Sequence, residues 1–247
     1  LRPKTMKIAI ITDVHGNYPA LQTAISQIDH AGDIERIYCL GDMIGIGPDT
    51  NEVLELLTAR NDVSFVTGNH ELAVLHILDG NGCLEGHESA FEHHKWIADR
   101  LDSRFLPFLR ALPLQQTMRM EGVTMLLTHY HLQADGRYRM IDPDPSGEKL
   151  DSLYDAAPYK LVCFGHHHPL HHFRTNERTY LNPGALGCND KPLTRYGIVT
   201  VVSGEAVVEV KEVEYDNRAF LRSYYKLDVP DKEFIFKVFH GIQRADR

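Results

Sequence analysis

The chain has 247 residues, 43% apolar and 24% charged, a balance that suits one large globular domain with a full core and excludes a disordered chain. Its formal charge of −8 and the lack of any Lys/Arg-rich run exclude a general nucleic-acid binder or a membrane-surface protein. An anionic ligand would therefore have to be held by local chemistry. Cys39, Cys83, Cys163 and Cys188 form no CxxC pair, and no charged-then-apolar leader precedes the first strand, so reduced thiols and a cytoplasmic location are expected. No stretch approaches the ~18 apolar residues of a membrane span, so no membrane partner is expected.

Residues Leu1 to Thr5 read as an irregular start, and Lys7 to Thr12 (KIAIIT) as a short buried strand. After the polar loop Asp13 to Asn17, Pro19 opens a helix with Leu21, Ala24, Ile25 and Ile28 on one face, proline being tolerated where the amide has no helical partner. The unit recurs. Ile34 to Leu40 is a predicted strand, Gly41 to Asp49 a glycine-rich loop, and Asn51 to Ala59 a helix with Val53, Leu56 and Leu57 as its apolar stripe. A third strand, Val63 to Val66, runs into TGNHE. Strands alternating with helices at this spacing predict an α/β fold, whose sites form in loops beyond the carboxyl ends of the strands.

Gly80, Gly82 and Gly86 then break the pattern, and a helix with Phe91, His94, Ile97, Ala98 and Leu101 on one face follows, which predicts a helical insertion over about 79–111. Leu114 to Met120 and Val123 to Thr128 flank Glu121-Gly122 as a hairpin, and Lys160 to Phe164 is a strand running into GHHH. Tyr196 to Val202 and Ala206 to Val213 form a second hairpin about Ser203-Gly204. Helices near Asn217 to Lys226 and Asp231 to His240 make a C-terminal extension over about 217–247, and the chain reads as a single domain over 1–247.

Asp13-Val14-His15-Gly16-Asn17 places a carboxylate and an imidazole two residues apart at a strand end, where both can face one metal ion while Gly16 permits a tight turn. Alone, the pattern is weak, and a turn with capping side chains explains it as well. Gly41-Asp42, Gly68-Asn69-His70, Thr128-His129 and Gly165-His166-His167-His168 each follow a predicted strand too. If those strands share a sheet the loops converge, and the mixed nitrogen and oxygen ligands suit two borderline divalent ions such as Mn, Fe, Zn, Co or Ni. Two such ions against two carboxylates leave a local positive surplus that attracts phosphate despite the acidic chain.

These motifs, in this order, resemble the calcineurin-like metallophosphoesterase superfamily, whose signature runs D-x-H, G-D, G-N-H, H and G-H-x-H. The surrounding DVHGNYPAL, GDMIGIGPDTNEV, VTGNHE, LTHYH, GHHHP and LNPGALG look like its small prokaryotic, diadenosine-tetraphosphatase-like branch, from Lys7 to about Val213. The resemblance implies a four-layer α/β/β/α sandwich of two mixed sheets. It implies a first metal on Asp13, His15 and His168, a second on Asn69, His129 and His166, Asp42 bridging both, and manganese as the first choice of ion. It further implies a metal-bridging hydroxide as nucleophile, with His70 donating a proton to the leaving group or stabilising the transition state. Small phosphodiesters or nucleotide phosphoanhydrides, such as dinucleoside polyphosphates, are the expected substrates. A Ser/Thr phosphoprotein phosphatase or phosphomonoesterase shares the motifs, and a non-catalytic scaffold of the same fold is a third reading.

Asn17, Tyr130, His131 and Arg137 are the expected substrate contacts. Tyr130 stands where the small branch often has glycine, and His131, Arg137 and Arg139 lie in a loop just beyond His129, although a solvated basic loop explains them equally well. His167 occupies the variable position of G-H-x-H. The histidines at 30, 76, 87, 93, 94 and 240 are expected to be surface or partly buried side chains, and His171 and His172 part of a surface strand. His70-Glu71 does not open a zinc-protease HExxH helix, because position 74 is Val.

Overall fold

Successive side chains of a strand point to opposite faces, so a strand that is apolar at every position must be covered on both. In the computed structural model, which describes residues 5–243, the apolar half of the first strand β1 (Thr5–Ile11), Ile8 to Ile11, meets that demand at the centre of a sheet. Helix α1 (Tyr18–Ala31), strand β2 (Arg36–Cys39), helix α2 (Thr50–Thr58), strand β3 (Val63–Phe65) and helix α3 (Asn69–Leu78) complete the repeated strand–helix units. The segment over 79–111 holds α4 (Phe91–Ala98) and α5 (Leu106–Arg110). There follow β4 (Gln115–Met120), β5 (Val123–Thr128), α6 (Gly147–Leu153), β6 (Leu161–Cys163), β7 (His171–Arg174) and β8 (Thr179–Asn182). A long hairpin of β9 (Leu193–Val202) and β10 (Glu205–Glu214) leads to α7 (Arg218–Lys226) and α8 (Lys232–Phe239).

The strands make two five-stranded mixed sheets, ordered β10-β9-β1-β2-β3 and β4-β5-β6-β8-β7. The alternation along each strand assigns the layers. Ala9 and Ile11 of β1, with Ile37 and Cys39 of β2, face α1 and α2 through Leu21, Ala24, Ile25, Val53, Leu54 and Leu57. Ile8 and Ile10 point the other way, onto Met125, Leu127, Leu161, Cys163 and Leu181 of the second sheet. On that sheet's far side Leu126, Val162 and Tyr180 pack with Leu150 of α6. This is the expected four-layer α/β/β/α sandwich.

Several elements differ from the sequence reading. The expected strand from Ile34 is in regular pairing only over Arg36–Cys39, although the Glu35 amide still donates to Lys7 O at 2.8 Å and Ile34 packs half-buried on the core. Helices α3 and α6 and strand β8 were not anticipated. Asn69 and His70 begin α3, whose start is set by the Glu71 carboxylate accepting from the Gly68 amide, the half of a capping box that a glycine N-cap allows. Helix α6 occupies part of what reads as a long loop after His129, where Ser146 caps it by accepting from the Lys149 amide. The C-terminal helices bury Phe220, Leu221, Tyr224 and Phe236 against Ala185 and Cys188, and Phe239 comes within 5.4 Å, centroid to centroid, of the His168 ring. Of the start expected to be irregular over Leu1 to Thr5, Thr5 already belongs to β1, and residues 1–4, like 244–247 at the other end, lie outside the described residues. Among those described, all four cysteines are free and no helix is long and apolar enough to cross a membrane.

Candidate metal centre

Strands β1, β2 and β3 run parallel in one sheet and β5 and β6 run parallel in the other, so five carboxyl-terminal loops can meet at one end of the sandwich. Backbone hydrogen bonds stitch them together. The Asp13 amide donates to Gly41 O at 3.1 Å, His15 to Asp42 O at 2.9 Å, and Gly165 to His129 O at 2.7 Å. Asp13, His15, Asp42 and His166 all hold left-handed backbone, with φ of 53°, 49°, 51° and 66°. Non-glycine residues reach that region at a cost and persist there only where the surroundings over-determine it, a pattern concentrated at functional sites. Gly165 is required for a different reason: a Cβ there would meet the Thr12 hydroxyl and lie 2.6 Å from Asp13 Oδ2.

Seven side chains named from the motifs come together. Asp42 Oδ2 lies 3.2 Å from His129 Nε2 and 3.9 Å from His15 Nε2, between the two halves of the cluster. On one side Asp13 Oδ1 is 3.5 Å from both His15 Nε2 and His168 Nε2, which are themselves 3.0 Å apart. On the other, Asn69 Oδ1 is 3.0 Å from His129 Nε2, and His166 offers a ring nitrogen within 4.8 Å of Asp42 and His129.

Proton placement tests whether these atoms suit a metal. His129 Nδ1 lies 2.7 Å from Leu40 O and His15 Nδ1 3.3 Å from Ile44 O. A carbonyl only accepts, so each Nδ1 carries the proton and each Nε2 of the neutral ring presents a lone pair. Around His129 Nε2 the neighbours are two oxygen acceptors with no proton to share. Asp13 Oδ2 accepts from Thr12 Oγ1 at 2.7 Å and the His166 amide at 3.0 Å, whereas Oδ1 is buried with no hydrogen bond. Converging lone pairs and an orphaned carboxylate oxygen are costly unless a cation sits among them, so the residues fit divalent ions.

The electrostatics agree. Burial works against the charged form of His129, but Asp42 and Asp13 outweigh it and raise the imidazole to about 9, so Nε2 takes up a proton when no metal ion competes for its lone pair, and the pocket favours positive charge in either form. Burial likewise opposes ionisation of Asp13, and the neighbouring His15 and His168 rings, with His129 beyond them, outweigh it, holding that carboxyl well below the usual range. Cys188, expected simply as a buried thiol, has its sulfur within 4.8 Å of ring nitrogens of His15 and His168, and burial pushes the thiol well above its ordinary value.

Residues 6–204 match the calcineurin-like phosphoesterase superfamily domain. The chain belongs to that superfamily. An uncharacterized protein of Methanocaldococcus jannaschii is 26% identical over 246 residues, covering 91% of this chain and 94% of its own. The symmetrical bis(5'-nucleosyl)-tetraphosphatase of Erwinia tasmaniensis is 36% identical over 78 residues, so the match spans only 28% of that enzyme's length. A metallophosphoesterase from Sphaerobacter thermophilus shares the fold with a TM-score of 0.70 at 24% identity, covering 93% of this chain and 97% of its own. A hypothetical protein from Pyrococcus horikoshii does so with 0.78 at 20%, covering 96% and 98%.

In this calcineurin-like phosphoesterase the remaining candidates fall into distinct places. His70 stands beside the cluster, its ring 5.0 Å from that of His15, and its amide donates to Asp42 Oδ1 at 2.9 Å. Burial, with His15 and His94 adding to it and Asp42 opposing, keeps the His70 imidazole well below the usual histidine range. Tyr130, buried beside the His166 ring, and His131, buried against Tyr130 and Phe164, line a 330 Å³ cleft with Arg139, Asp142 and Lys149. Arg137 does not line that cleft; it pairs with Asp135 at 2.8 Å and reaches Glu85 at 3.6 Å. Asn17 turns inward, capping α1 by accepting from the Ala20 amide and donating to Gly187 O and Tyr215 Oη.

Sequence reasoning missed three neighbours of the motifs. Glu71, wholly buried, accepts from the amides of Asp42, Met43, Ile44 and Gly68 at 2.7–3.1 Å and so shapes the loop that carries Asp42. Its position three residues after Gly68 was the available signal. His87 Nε2 lies 3.2 Å from the Asn69 side-chain amide nitrogen, and His94 Nε2 lies 2.9 Å from His70 Nδ1. The expectation of surface or partly buried side chains fails for His93, His94 and His240, which are 4%, 1% and 3% exposed, because α4 and the C-terminal helices turn those faces inward.

Proposed function

We propose that this calcineurin-like phosphoesterase is a cytoplasmic hydrolase of phosphodiesters or nucleotide phosphoanhydrides, working at two divalent ions, manganese first among Mn, Fe, Zn, Co and Ni. Asp13, His15 and His168 would hold one ion, Asn69, His129 and His166 the other, and Asp42 both. The observation that carries this reading is the convergence of His15 and His129 Nε2 on Asp42 Oδ2, with each ring's Nδ1 proton held by a backbone carbonyl, so that both Nε2 atoms can bind a cation in place of a proton. Bound there, two ions would make a shared water acidic enough to attack near neutral pH and would neutralise phosphoryl charge.

The protein's own groups supply the rest. His70 stands against the cluster, where a proton on its ring can be directed at the leaving oxygen. Tyr130 and His131 form a buried aromatic wall, and Arg139, which has no ion pair among the described residues, puts a cation at the rim of the adjoining cleft. A cation and an aromatic wall beside a phosphoryl site favour a substrate with a second phosphate or a base. The short match to symmetrical tetraphosphatases supports the same class.

The test is metal-dependent turnover of bis-p-nitrophenyl phosphate, p-nitrophenyl phosphate and diadenosine tetraphosphate, with Asp42→Asn as control. Diester or dinucleotide turnover that the control loses supports the proposal. Turnover confined to the monoester, or none with any of the named ions, overturns it.

A further inference from the structure

Helix α4 turns His93, His94, Ile97 and Ala98 inward. An imidazole on such a stripe is expensive unless its polar atoms are bonded, and leucine would fill the position without that cost. Among the described residues the side-chain hydrogen bond of His94 runs between Nε2 and His70 Nδ1, at 2.9 Å, with the rings 4.9 Å apart. It spans from the segment over 79–111 to the first turn of α3, so that segment reaches the phosphoesterase centre through this contact.

Two imidazoles that share a hydrogen bond need one N–H and one lone pair. A donor to the leaving oxygen needs its proton on the ring nitrogen that His94 does not occupy, His70 Nε2, so His70 Nδ1 brings the lone pair to the shared contact. The proton of His94 therefore belongs on Nε2, where it is donated to His70. That leaves the His70 proton on its own Nε2, the nitrogen with no hydrogen bond from a described residue. The ring is also confined from the side, since a Cβ on Gly45 would lie 2.7 Å from His70 Cγ.

We propose that His94 is a positioning residue that fixes His70 in the tautomer carrying its proton on Nε2, aimed at the leaving oxygen of the substrate. This rests on the reading of His70 as the donor to the leaving group. The step shares one proton without moving it: as the bond from phosphorus to the leaving oxygen breaks, that oxygen accepts a hydrogen bond from His70 Nε2–H, the neutral ring keeps its proton, solvent supplies the proton the departed oxygen takes up, and His94 Nε2–H holds the opposite nitrogen.

The test combines ring-nitrogen NMR of the zinc-loaded protein with turnover of aryl methyl phosphodiesters whose leaving phenols run from p-nitrophenol to phenol. In the wild type His70 should show a protonated Nε2 and an unprotonated Nδ1. His94→Leu should lose that signature while keeping metal content and melting temperature. It should cut turnover of the phenyl ester by roughly 10–100-fold and of the p-nitrophenyl ester by less than about 3-fold, since a good leaving group needs little help. His94→Gln, whose amide can still donate, should recover most of the loss. A wild-type His70 protonated on Nδ1 overturns the proposal without needing any variant to fold. A His94→Leu protein with unchanged leaving-group dependence overturns it as well, provided His70→Ala shows a steeper one; if His70→Ala shows none, the donor reading itself fails and the proposal falls with it.

Discussion

Replacing Glu71 by glutamine removes one carboxylate oxygen from a buried position where each oxygen serves two backbone amides. Oε1 accepts from Met43 at 2.7 Å and Ile44 at 3.1 Å, and Oε2 from Asp42 at 2.8 Å and Gly68 at 2.7 Å. Whichever way the glutamine amide turns, its NH2 faces two N–H groups that lose their acceptor. Each orphaned amide costs about 1–3 kcal/mol, so the substitution should destabilise the protein by about 2–6 kcal/mol. At roughly 2–4 °C per kcal/mol for a chain of this size, the melting temperature should fall by at least about 4 °C. The loop held by these bonds carries Asp42 at a φ of 51°, so metal affinity should fall with stability. Calorimetry of the metal-free protein and metal titration of the folded variant measure the two effects. A melting temperature within about 1 °C of wild type, with undiminished metal affinity, would refute the argument that Glu71 builds the Asp42 loop.

Gly165→Ala places a methyl group against the Thr12 hydroxyl and the Asp13 carboxylate, so bound metal should fall well below the wild-type content while far-ultraviolet circular dichroism stays native. Burial, with Glu52 adding to it, raises Asp49 to about 6, and its side chain makes no capping bond. A folded-state value above the unfolded one means that ionised Asp49 opposes folding, an effect absent below the unfolded pKa and complete above about 6. Asp49→Asn should therefore stabilise the protein by about 1–2 kcal/mol at pH 7 and hardly at pH 4, read by urea unfolding at both. Arg139→Ala should raise KM for diadenosine tetraphosphate by roughly 5- to 20-fold, a loss of about 1–2 kcal/mol, with little change in kcat; Arg137→Ala, whose guanidinium is held by Asp135 and Glu85, should leave both near wild type.

The amino-acid sequence by itself determined the strand-and-helix units, the alternation of Ile8 and Ile10 against Ala9 and Ile11, and the side chains gathered at the centre. Those are local properties: the period of an apolar pattern, and polar residues placed directly after it. Asp13, His15, Asp42, Asn69, His129, His166 and His168 were legible for that reason, since each follows a strand whose direction already aims it. What only the tertiary structure decided was how elements far apart in the chain meet. No pattern along the chain tells that His94, on an apolar helical stripe, faces His70, or that the basic loop turns Arg137 to Asp135 and leaves Arg139 at the cleft. Nor does it tell that Asn17 spends its amide on Gly187 and Tyr215. Such partners are fixed by packing between layers, where burial makes an unbonded polar group costly and so selects among arrangements that the local sequence permits equally.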